Sequence, residues 1–549
     1  MKYFIFIIIV LGLWACQLED RYASKAIFRY NVAEGISSLD PAFARSLDNV
    51  SAVNHLFNGL VQTDEKLNIQ PAIAKSWEIK EAGTLLRFQL RTDVYFHPHS
   101  LFGKDSSRKV VAEDFVYSFQ RLVDEKLLSP GKWVMNEVER DEKGDLKVLA
   151  KNDSLLEIHL KRAFQPFLGI LSMQYCAVVP KEVVSYYGRD FRSNPIGTGP
   201  FKFKYWRENG KLILLRHKNY FERDHLAQRL PYLDAISISF LKDQEVTFLK
   251  FLSGELDYLG GLKGSYKDEL LDANGKLRPK YQGQIQFLSG PFLNTEYLGF
   301  LVDSNLLEKE QPILNPYVRK AINYGFDRKK MLKYLRNGIG FPAEQGFIPK
   351  GLPAFTKELH AYSYQPDSVK EMLKKAGFPK GQDLAEIKLH TTGQYQDICE
   401  YLQSSLSDFG IKIKVLVNQA ATNNQLIANG RVAFFRKSWV ADYPDAENYL
   451  SLFRSDNFAP GGPNYTHYQN HLYDRWYEKA MNTIKDSLRY VYYQKMDSTI
   501  MADAAVVPLF YDQVVRFIHP EISGIGVNPM NLLLLKYAKK EPYKNAGRY

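Results

Sequence analysis

The stretch FFRKSWVADYPDAENYL, residues 434–450, predicts a strand that stops abruptly and is followed by a helix. Its first residues are apolar, and Ser438–Val440 alternates in the manner of a β-strand. Pro444 has no N–H to donate to a neighbouring strand, so the Tyr-Pro-Asp sequence around it indicates a turn. A helix is predicted from Glu447 to Leu452. The stretch therefore ends a strand at a place where sheets commonly present functional side chains.

Three side chains of this stretch are candidates for function: Arg436, Trp439 and Asp442. All three lie toward the end of the predicted strand. The residues alone leave a second interpretation open, in which Trp439 belongs to the core, Asp442 caps a turn and Arg436 is solvated. The rest of the chain is needed to decide between the two interpretations.

Length and composition indicate a globular protein of several domains. With 549 residues the chain is too long for one ordinary core, and two or three domains are expected. Hydrophobic residues make up 45% and charged residues 24%. The formal net charge is +11, but Lys and Arg are interspersed with Asp and Glu rather than gathered in a basic block. This pattern argues against a nucleic-acid binder and favours a solvated surface.

The N-terminus predicts export. Lys2 is followed by uncharged, mostly apolar residues that fit a signal peptide and are too few to span a membrane. They end in Leu13-Trp14-Ala15-Cys16, which resembles the lipobox of bacterial lipoproteins, where the cysteine carries the lipid. An ordinary signal peptide with a chance cysteine is the alternative. Residues 17–26 read as a tether, and no later segment has the length and apolar character of a membrane helix.

Signatures of catalysis are not found in the sequence. There is no GxSxG nucleophile elbow, no P-loop and no GxGxxG dinucleotide-binding motif. His467 and His471 are four residues apart, but Tyr468 stands where a zinc hydrolase needs Glu. The loop His97-Pro98-His99 is predicted to be exposed and solvated rather than a metal site. We therefore expect no enzyme activity, no cofactor and no resident metal.

The predicted elements change character near Pro291. From there the sequence alternates between strand and helix, which argues for an α/β domain. The predicted strands cover 297–302, 387–391 and 411–417, and the helices 315–326, 327–334, 365–376 and 396–409. After the opening stretch we expect helices over 473–484 and 488–503 and two strands over 506–511 and 514–518. Whether Cys176 and Cys399 form a disulfide is left open by the sequence.

Several stretches together resemble the substrate-binding proteins of bacterial ABC peptide importers, the oligopeptide- and dipeptide-binding family. They occur in the family's order and cover nearly the whole mature chain. The matching segments are Ser38–Pro41, Leu56–Leu60, Phe88–His97, Val111–Arg121, Gly197–Phe201, Val318–Ile322, Lys374–Phe378, Trp439–Tyr443 and Val507–Tyr511. At His97–Phe102 the chain departs from the family's short turn, in the manner of a loop insertion.

The resemblance implies an α/β, two-lobed periplasmic-binding-protein fold of the class II type, with mixed sheets, a hinge and an extra subdomain. The first lobe would comprise residues 27–290 and 505–549, including the subdomain at about 61–190. The second lobe would comprise residues 291–504. The two lobes would close on a ligand like a trap.

The resemblance also assigns a ligand role to the opening stretch. In peptide-binding members, the Asp of the Trp-x-x-Asp motif pairs with the peptide's free α-ammonium, and Asp442 occupies that position. A buried ammonium needs such a carboxylate, because an unpaired buried charge is costly. Ser438 and Val440 would pair with the peptide backbone from one side, and Ser46 and Leu47 from the other. Pairing through the main chain tolerates many peptide sequences.

Further candidates follow from the same resemblance. Arg436 matches a basic residue that can hold the peptide carboxylate, and Arg336 is a second candidate for that role. Trp133, Tyr297 and Tyr511 are possible pocket walls, with core packing as the alternative for each.

The sequence is thus expected to encode a monomeric, lipid-anchored receptor on the outer side of a bacterial membrane. It would bind short peptides and deliver them to the permease and ATPase subunits of an ABC importer, with no role for nucleic acid. One alternative keeps the fold but changes the ligand to a nickel or other metal chelate, haem or an oligosaccharide. Another is a signalling or adhesion lipoprotein that uses the fold without transport.

Overall fold

The computed structural model describes residues 25–104, 106–261, 266–308, 310–359 and 361–541. The predicted signal peptide and Cys16 lie outside the described residues. Within those ranges the chain is a mixture of helices and strands arranged around three larger sheets. None of the described helices combines the length and apolar character needed to cross a membrane.

The first sheet contains the N-terminal strand. Its four strands lie in the order Ile27–Asn31, Ala235–Ser239, Lys211–Arg216 and Phe201–Arg207. The first two run parallel, and the other neighbours are antiparallel. Apolar residues of this sheet pack with the helix Leu47–Leu56 and with residues 518–538 near the C-terminus. The C-terminal part of the chain therefore returns to the N-terminal core.

The second sheet is antiparallel and belongs to the predicted subdomain. Its strands lie in the order Ala74–Lys80, Leu85–Leu90, Leu155–His159 and Val148–Asn152. The helix Ala112–Val123 buries Phe115 and Phe119 against it, because apolar residues three and four apart lie on one helix face.

The third sheet has seven strands and holds the opening stretch. Its main path lies in the order Tyr258–Gly260, Val506–Ile518, Gln286–Phe300, Phe434–Val440, Ile387–Thr392 and Ile413–Asn418, and Phe341–Pro342 pairs with Val506–Ile518 off this path. Helices Pro316–Tyr324, Arg328–Arg336, Pro366–Lys375 and Gln396–Ser407 pack against it. The other described helices are Phe167–Leu171, Lys181–Tyr187, Gln244–Leu252, Tyr266–Leu270, Ala420–Ala428, Glu447–Leu450, His471–Met481 and Asp486–Asp503.

Two long neighbouring strands, Gln286–Phe300 and Val506–Ile518, lie between Tyr258–Gly260 on one side of this sheet and Phe434–Val440 on the other. They pair antiparallel along most of their length, but the register shifts between Pro291 and Thr295. On one side of the shift Tyr258–Gly260 joins Val506–Ile518, and on the other side Phe434–Val440 joins Gln286–Phe300. The pair thus bridges the N-terminal core and the core of the 298–510 region. The exact lobe boundaries stay a prediction.

The structure corrects the expectation for His97 and answers the question of the two cysteines. His97, expected to be solvated, is buried: its Nδ1 lies 3.3 Å from the Gly197 nitrogen, and its Nε2 lies 3.0 Å from the Gly199 oxygen. The backbone of the Gly197–Gly199 turn therefore holds this histidine. Cys176 and Cys399 are both free thiols, each buried in a different apolar cluster.

Candidate functional site

Asn448 holds the turn between Trp439 and Asp442. Its Oδ1 accepts hydrogen bonds from Trp439 Nε1 at 2.9 Å and from the backbone N–H of Asp442 at 3.0 Å. Its Nδ2 lies 3.5 Å from Asp442 Oδ2. Asn448 is buried on the short helix Glu447–Leu450, which starts just after the predicted turn. One buried amide thus fixes both the indole and the direction of the carboxylate.

Asp442 presents a carboxylate without a cationic partner. Its side chain is exposed, yet desolvation by the surrounding protein raises its pKa, and the hydrogen bond from Asn448 partly offsets that rise. Across the described ranges, no lysine, arginine or histidine forms an ion pair with Asp442, whereas Asp445 pairs with Arg489 at 3.3 Å. An accessible carboxylate that is partly desolvated and has no cationic partner is suited to receive a cation from a ligand.

The strand Phe434–Val440 leaves part of one edge open. It pairs along its whole length with the strand Gln286–Phe300. On the other edge only Phe434 and Phe435 pair with a strand, through Leu389 and His390. In the part of the chain that the structure describes, residues 436–440 therefore have no strand on their outer side. Their free N–H and C=O groups form a template for an extended chain, and Asp442 lies just beyond its end.

Residues of the predicted first lobe lie against the same turn. The rings of Trp133 and Tyr443 are 6.2 Å apart. A Cβ placed on Gly169 would lie 3.6 Å from Cδ of Pro444. The buried phenol of Tyr175 has a raised pKa, caused mainly by desolvation and further by the negative charge of Asp442. The turn after Phe434–Val440 is thus at the contact between the two predicted lobes.

Arg436 and Arg336 are both engaged by carboxylates of the protein. Arg436 forms an ion pair with Glu296 on the neighbouring strand, and its guanidinium carbon lies 3.0 Å from the ring centre of Tyr395. Arg336 Nη2 contacts Asp512 Oδ1 at 2.7 Å. Neither arginine therefore offers an uncompensated positive charge in this arrangement, and their role in holding a ligand carboxylate stays a prediction.

The possible wall residues separate into two groups. Tyr297 and Tyr511 are completely enclosed: Tyr297 packs against Phe347 with ring centres 5.0 Å apart, and the Tyr511 hydroxyl donates to the Gly346 carbonyl at 2.8 Å. Tyr297 and Tyr511 are therefore packed in the core, which was the alternative interpretation for both. Trp133 is half-buried beside Tyr443 and borders the site.

Ser46 and Leu47 are exposed at the start of a helix. Ser46 caps that helix by accepting a hydrogen bond from the N–H of Asn49 at 3.3 Å, and Leu47 is its first residue. The resemblance implied that the segment around Ser46 and Leu47 pairs with a peptide backbone. In the structure, only Ala44–Ser46 lie outside helical geometry between the turn of helix at 41–43 and the helix Leu47–Leu56. Pairing of this segment with a ligand stays a prediction.

A cavity of about 770 Å³ lies elsewhere, between residues 54–72, 220–223 and 532–537. Lys536 crosses part of its lining and donates to Gln62 at 2.7 Å and to Glu222 at 2.6 Å. None of the candidate ligand residues lines this cavity. The open strand edge with Asp442 is the better candidate site, because a groove between lobes need not form an enclosed cavity.

Comparisons with known proteins identify the family of this chain. The family model for bacterial extracellular solute-binding proteins, family 5, matches residues 68–460. The chain belongs to this family. It is similar to heme-binding protein A of Haemophilus influenzae, with 25% identity over 93% of this chain and 92% of the relative. It is also similar to the glutathione-binding protein GsiB of Salmonella choleraesuis, with 23% identity over 91% of each chain.

Family 5 solute-binding proteins are extracytoplasmic components of ABC importers that bind solutes such as peptides and deliver them to a permease; they are not enzymes. Among solved structures, DppA of Helicobacter pylori in complex with the peptide STSA matches with a TM-score of 0.74 and 23% identity. The match covers 95% of this chain and all of that one. The periplasmic-binding-protein fold implied by the sequence is thereby confirmed.

Three residues connected to the Asp442 turn in the structure were not singled out from the sequence: Asn448 by its hydrogen bonds, and Tyr175 and Arg45 by their electrostatic interactions. Asn448 lies within the opening stretch, six residues after Asp442, and its amide could have been considered as a partner of the turn. Arg45 is adjacent to Ser46. Tyr175 had no sequence signal, because only the fold brings it beside residues 131–133 and the Asp442 turn.

Proposed function

We propose that this protein captures short peptides between its two lobes and delivers them to an ABC permease. The observation that carries the proposal is Asp442, an accessible carboxylate without a cationic partner at the end of an unpaired strand edge. The edge would pair with the peptide backbone, and Asp442 would receive the free α-ammonium. The unpaired strand edge and the carboxylate together suit an extended peptide with a positively charged N-terminus.

Closure would turn on the two long strands at the register shift between Pro291 and Thr295. The lobes would follow the boundaries predicted from the sequence, with residues 291–504 moving relative to the rest. Contacts such as Trp133 with Tyr443 would then bury the bound peptide and exclude water. The separate apolar cores on the two sides of these strands support this division.

The receptor would be monomeric and anchored through lipid on Cys16, on the outer side of a bacterial membrane. Labelling with a radioactive fatty acid, with Cys16→Ser as the comparison, tests the anchor separately from ligand binding. Labelled parent and unlabelled variant would support the anchor. An unlabelled parent would point to an ordinary signal peptide.

The decisive test of the peptide role is the variant Asp442→Asn. Loss of the charged acceptor should weaken peptide binding by about 2–3 kcal/mol, or roughly 30-fold to 150-fold in Kd. Asp408→Asn, on an exposed aspartate after the helix Gln396–Ser407, is the matched control and should bind as the parent does. A folded Asp442→Asn variant with parental affinity would refute the role of Asp442.

The ligand class is tested by native mass spectrometry of the purified protein, followed by mild denaturation to release bound molecules. Peptides of about two to five residues would support the proposal. A single mass matching haem, a metal chelate or a sugar would leave the fold intact and overturn the peptide role.

A further inference from the structure

Arg45 lies between two residues that hydrogen bonds hold in place. The carbonyl of the preceding residue, Ala44, accepts a hydrogen bond from Gln174 Nε2 at 2.8 Å. The following residue, Ser46, caps the helix Leu47–Leu56. The backbone on both sides of Arg45 is therefore fixed, while its side chain is exposed.

A chain of contacts connects this position to Asp442. Gln174, which holds Ala44, precedes Tyr175, whose ring lies directly against Gly131. Two residues further on, Trp133 packs against the ring of Tyr443, next to Asp442. The electrostatics agree: desolvation raises the pKa of the Tyr175 phenol, the positive charge of Arg45 lowers it, and the negative charge of Asp442 raises it further. Both charged groups therefore act on the Tyr175 hydroxyl.

Both charges lack a partner of opposite sign. Within the described ranges, the Arg45 guanidinium forms no ion pair and no hydrogen bond, and Asp442 forms no ion pair. This distinguishes Arg45 from Arg436 and Arg336, which are neutralised by Glu296 and Asp512. A ligand that binds with its ammonium on Asp442 therefore meets an available cation close to its first residue.

We propose that Arg45 is a specificity-determining residue that binds a carboxylate on the first residue of the ligand. The inference rests on the proposed function, because it assumes that the ligand's ammonium is held by Asp442. The preferred class is then a peptide whose first residue carries both a free ammonium and a carboxylate. Peptides beginning with Asp or Glu belong to this class, as do γ-glutamyl peptides, whose first residue keeps its α-carboxylate. A guanidinium suits this role, since it binds a carboxylate through two parallel N–H donors.

The test compares Glu-Ala-Ala with Gln-Ala-Ala by calorimetry, because the two peptides have nearly the same shape and differ by one charge. Glutathione serves as a γ-linked probe. The parent protein should bind Glu-Ala-Ala and glutathione more tightly than Gln-Ala-Ala, by roughly tenfold to a hundredfold. Arg45→Gln should remove this preference by weakening only the carboxylate-bearing ligands.

Arg207→Gln is the matched control, since Arg207 is an exposed arginine of the same predicted lobe at the end of the strand Phe201–Arg207. It should leave all three affinities unchanged. Equal weakening of Glu-Ala-Ala and Gln-Ala-Ala by Arg45→Gln would mean that Arg45 binds the C-terminal carboxylate or the main chain, and would overturn the inference. So would unchanged affinities.

The variant Asp442→Asn separates the two proposals. If it weakens both peptides while Arg45→Gln changes no preference, the proposed function stands and the role of Arg45 is wrong. If the parent binds none of the three ligands, the proposed function fails and the inference fails with it.

Discussion

Replacing Arg436 by Gln should destabilise the fold far more than it weakens ligand binding. The Arg436 side chain is 10% exposed, and that of its partner Glu296 is 4% exposed. Burial raises the pKa of Glu296, the charge of Arg436 opposes that rise, and nearby Asp512 adds to it. Without Arg436, the buried carboxylate keeps one hydrogen bond, from Asn294 Nδ2 at 3.1 Å.

The expected loss follows from this burial. Removing one partner of a buried ion pair costs about 3–5 kcal/mol. The hydrogen bond from Asn294 and the ability of Glu296 to take up a proton reduce the cost, and we expect about 3 kcal/mol at neutral pH. A carboxyl whose pKa is raised in the folded state favours folding when it is protonated. The deficit of Arg436→Gln relative to the parent should therefore shrink as the pH falls.

The assay is urea unfolding followed by tryptophan fluorescence at several pH values, with peptide binding measured in parallel. The set comprises the parent, Arg436→Gln, Glu296→Gln and the double variant. Because two neutral amides leave no buried charge, the double variant should lose less stability than the sum of the single changes. If Arg436→Gln keeps parental stability and instead loses peptide affinity, the guanidinium serves the ligand and the reasoning from Glu296 is wrong.

Two further predictions concern the turn after the open strand edge. Asn448→Ala should cost about 1–3 kcal/mol of stability and also weaken peptide binding, because Trp439 Nε1 and the Asp442 N–H lose their acceptor. Chemical denaturation measures the loss of stability, and calorimetry measures the peptide affinity. An affinity equal to that of the parent would show that Asp442 does not need Asn448 to bind the ligand. Burial raises the pKa of Glu447 to about 7, so its contribution to stability is complete at acid pH and is lost as the pH rises through neutrality. Glu447→Gln should therefore reduce the fall in the free energy of unfolding between about pH 5 and pH 8. Part of the fall should remain, because burial also raises the pKa of Asp497 to about 7. If the dependence of the unfolding free energy on pH is unchanged in the variant, Glu447 does not contribute to it.

Local patterns in the sequence predicted most of the individual elements. The helix Gln396–Ser407 and the strand Ile387–Thr392 lie within two residues of their predicted bounds, because their apolar residues follow the helical and strand periods clearly. The helix Ala420–Ala428 was not predicted, since it buries only Asn423 and Ile427 and its sequence has little apolar periodicity. Elements with one clear buried face were thus accessible from the sequence, and weakly amphipathic elements were not.

The long strands show why some features could not be predicted. The sequence indicated two strands separated by Asp512 and Gln513, whereas the structure has one continuous strand, Val506–Ile518. Both polar residues are satisfied from outside the strand: Asp512 by Arg336 at 2.7 Å, and Gln513 by the N–H of Gly340 at 2.8 Å. A polar interruption ends a strand only when no other part of the chain can satisfy it.

The same physical reason divides the candidate site. Asp442 could be identified because its motif is local and its chemistry needs only an available carboxylate. The state of Arg436 could not, because its charge is determined by Glu296, 140 residues away in the sequence. Whether a charged residue serves a ligand depends on which charges the fold has already neutralised. That criterion directs attention from Arg436 to Arg45, which the sequence analysis did not single out and whose charge the described fold leaves without a partner.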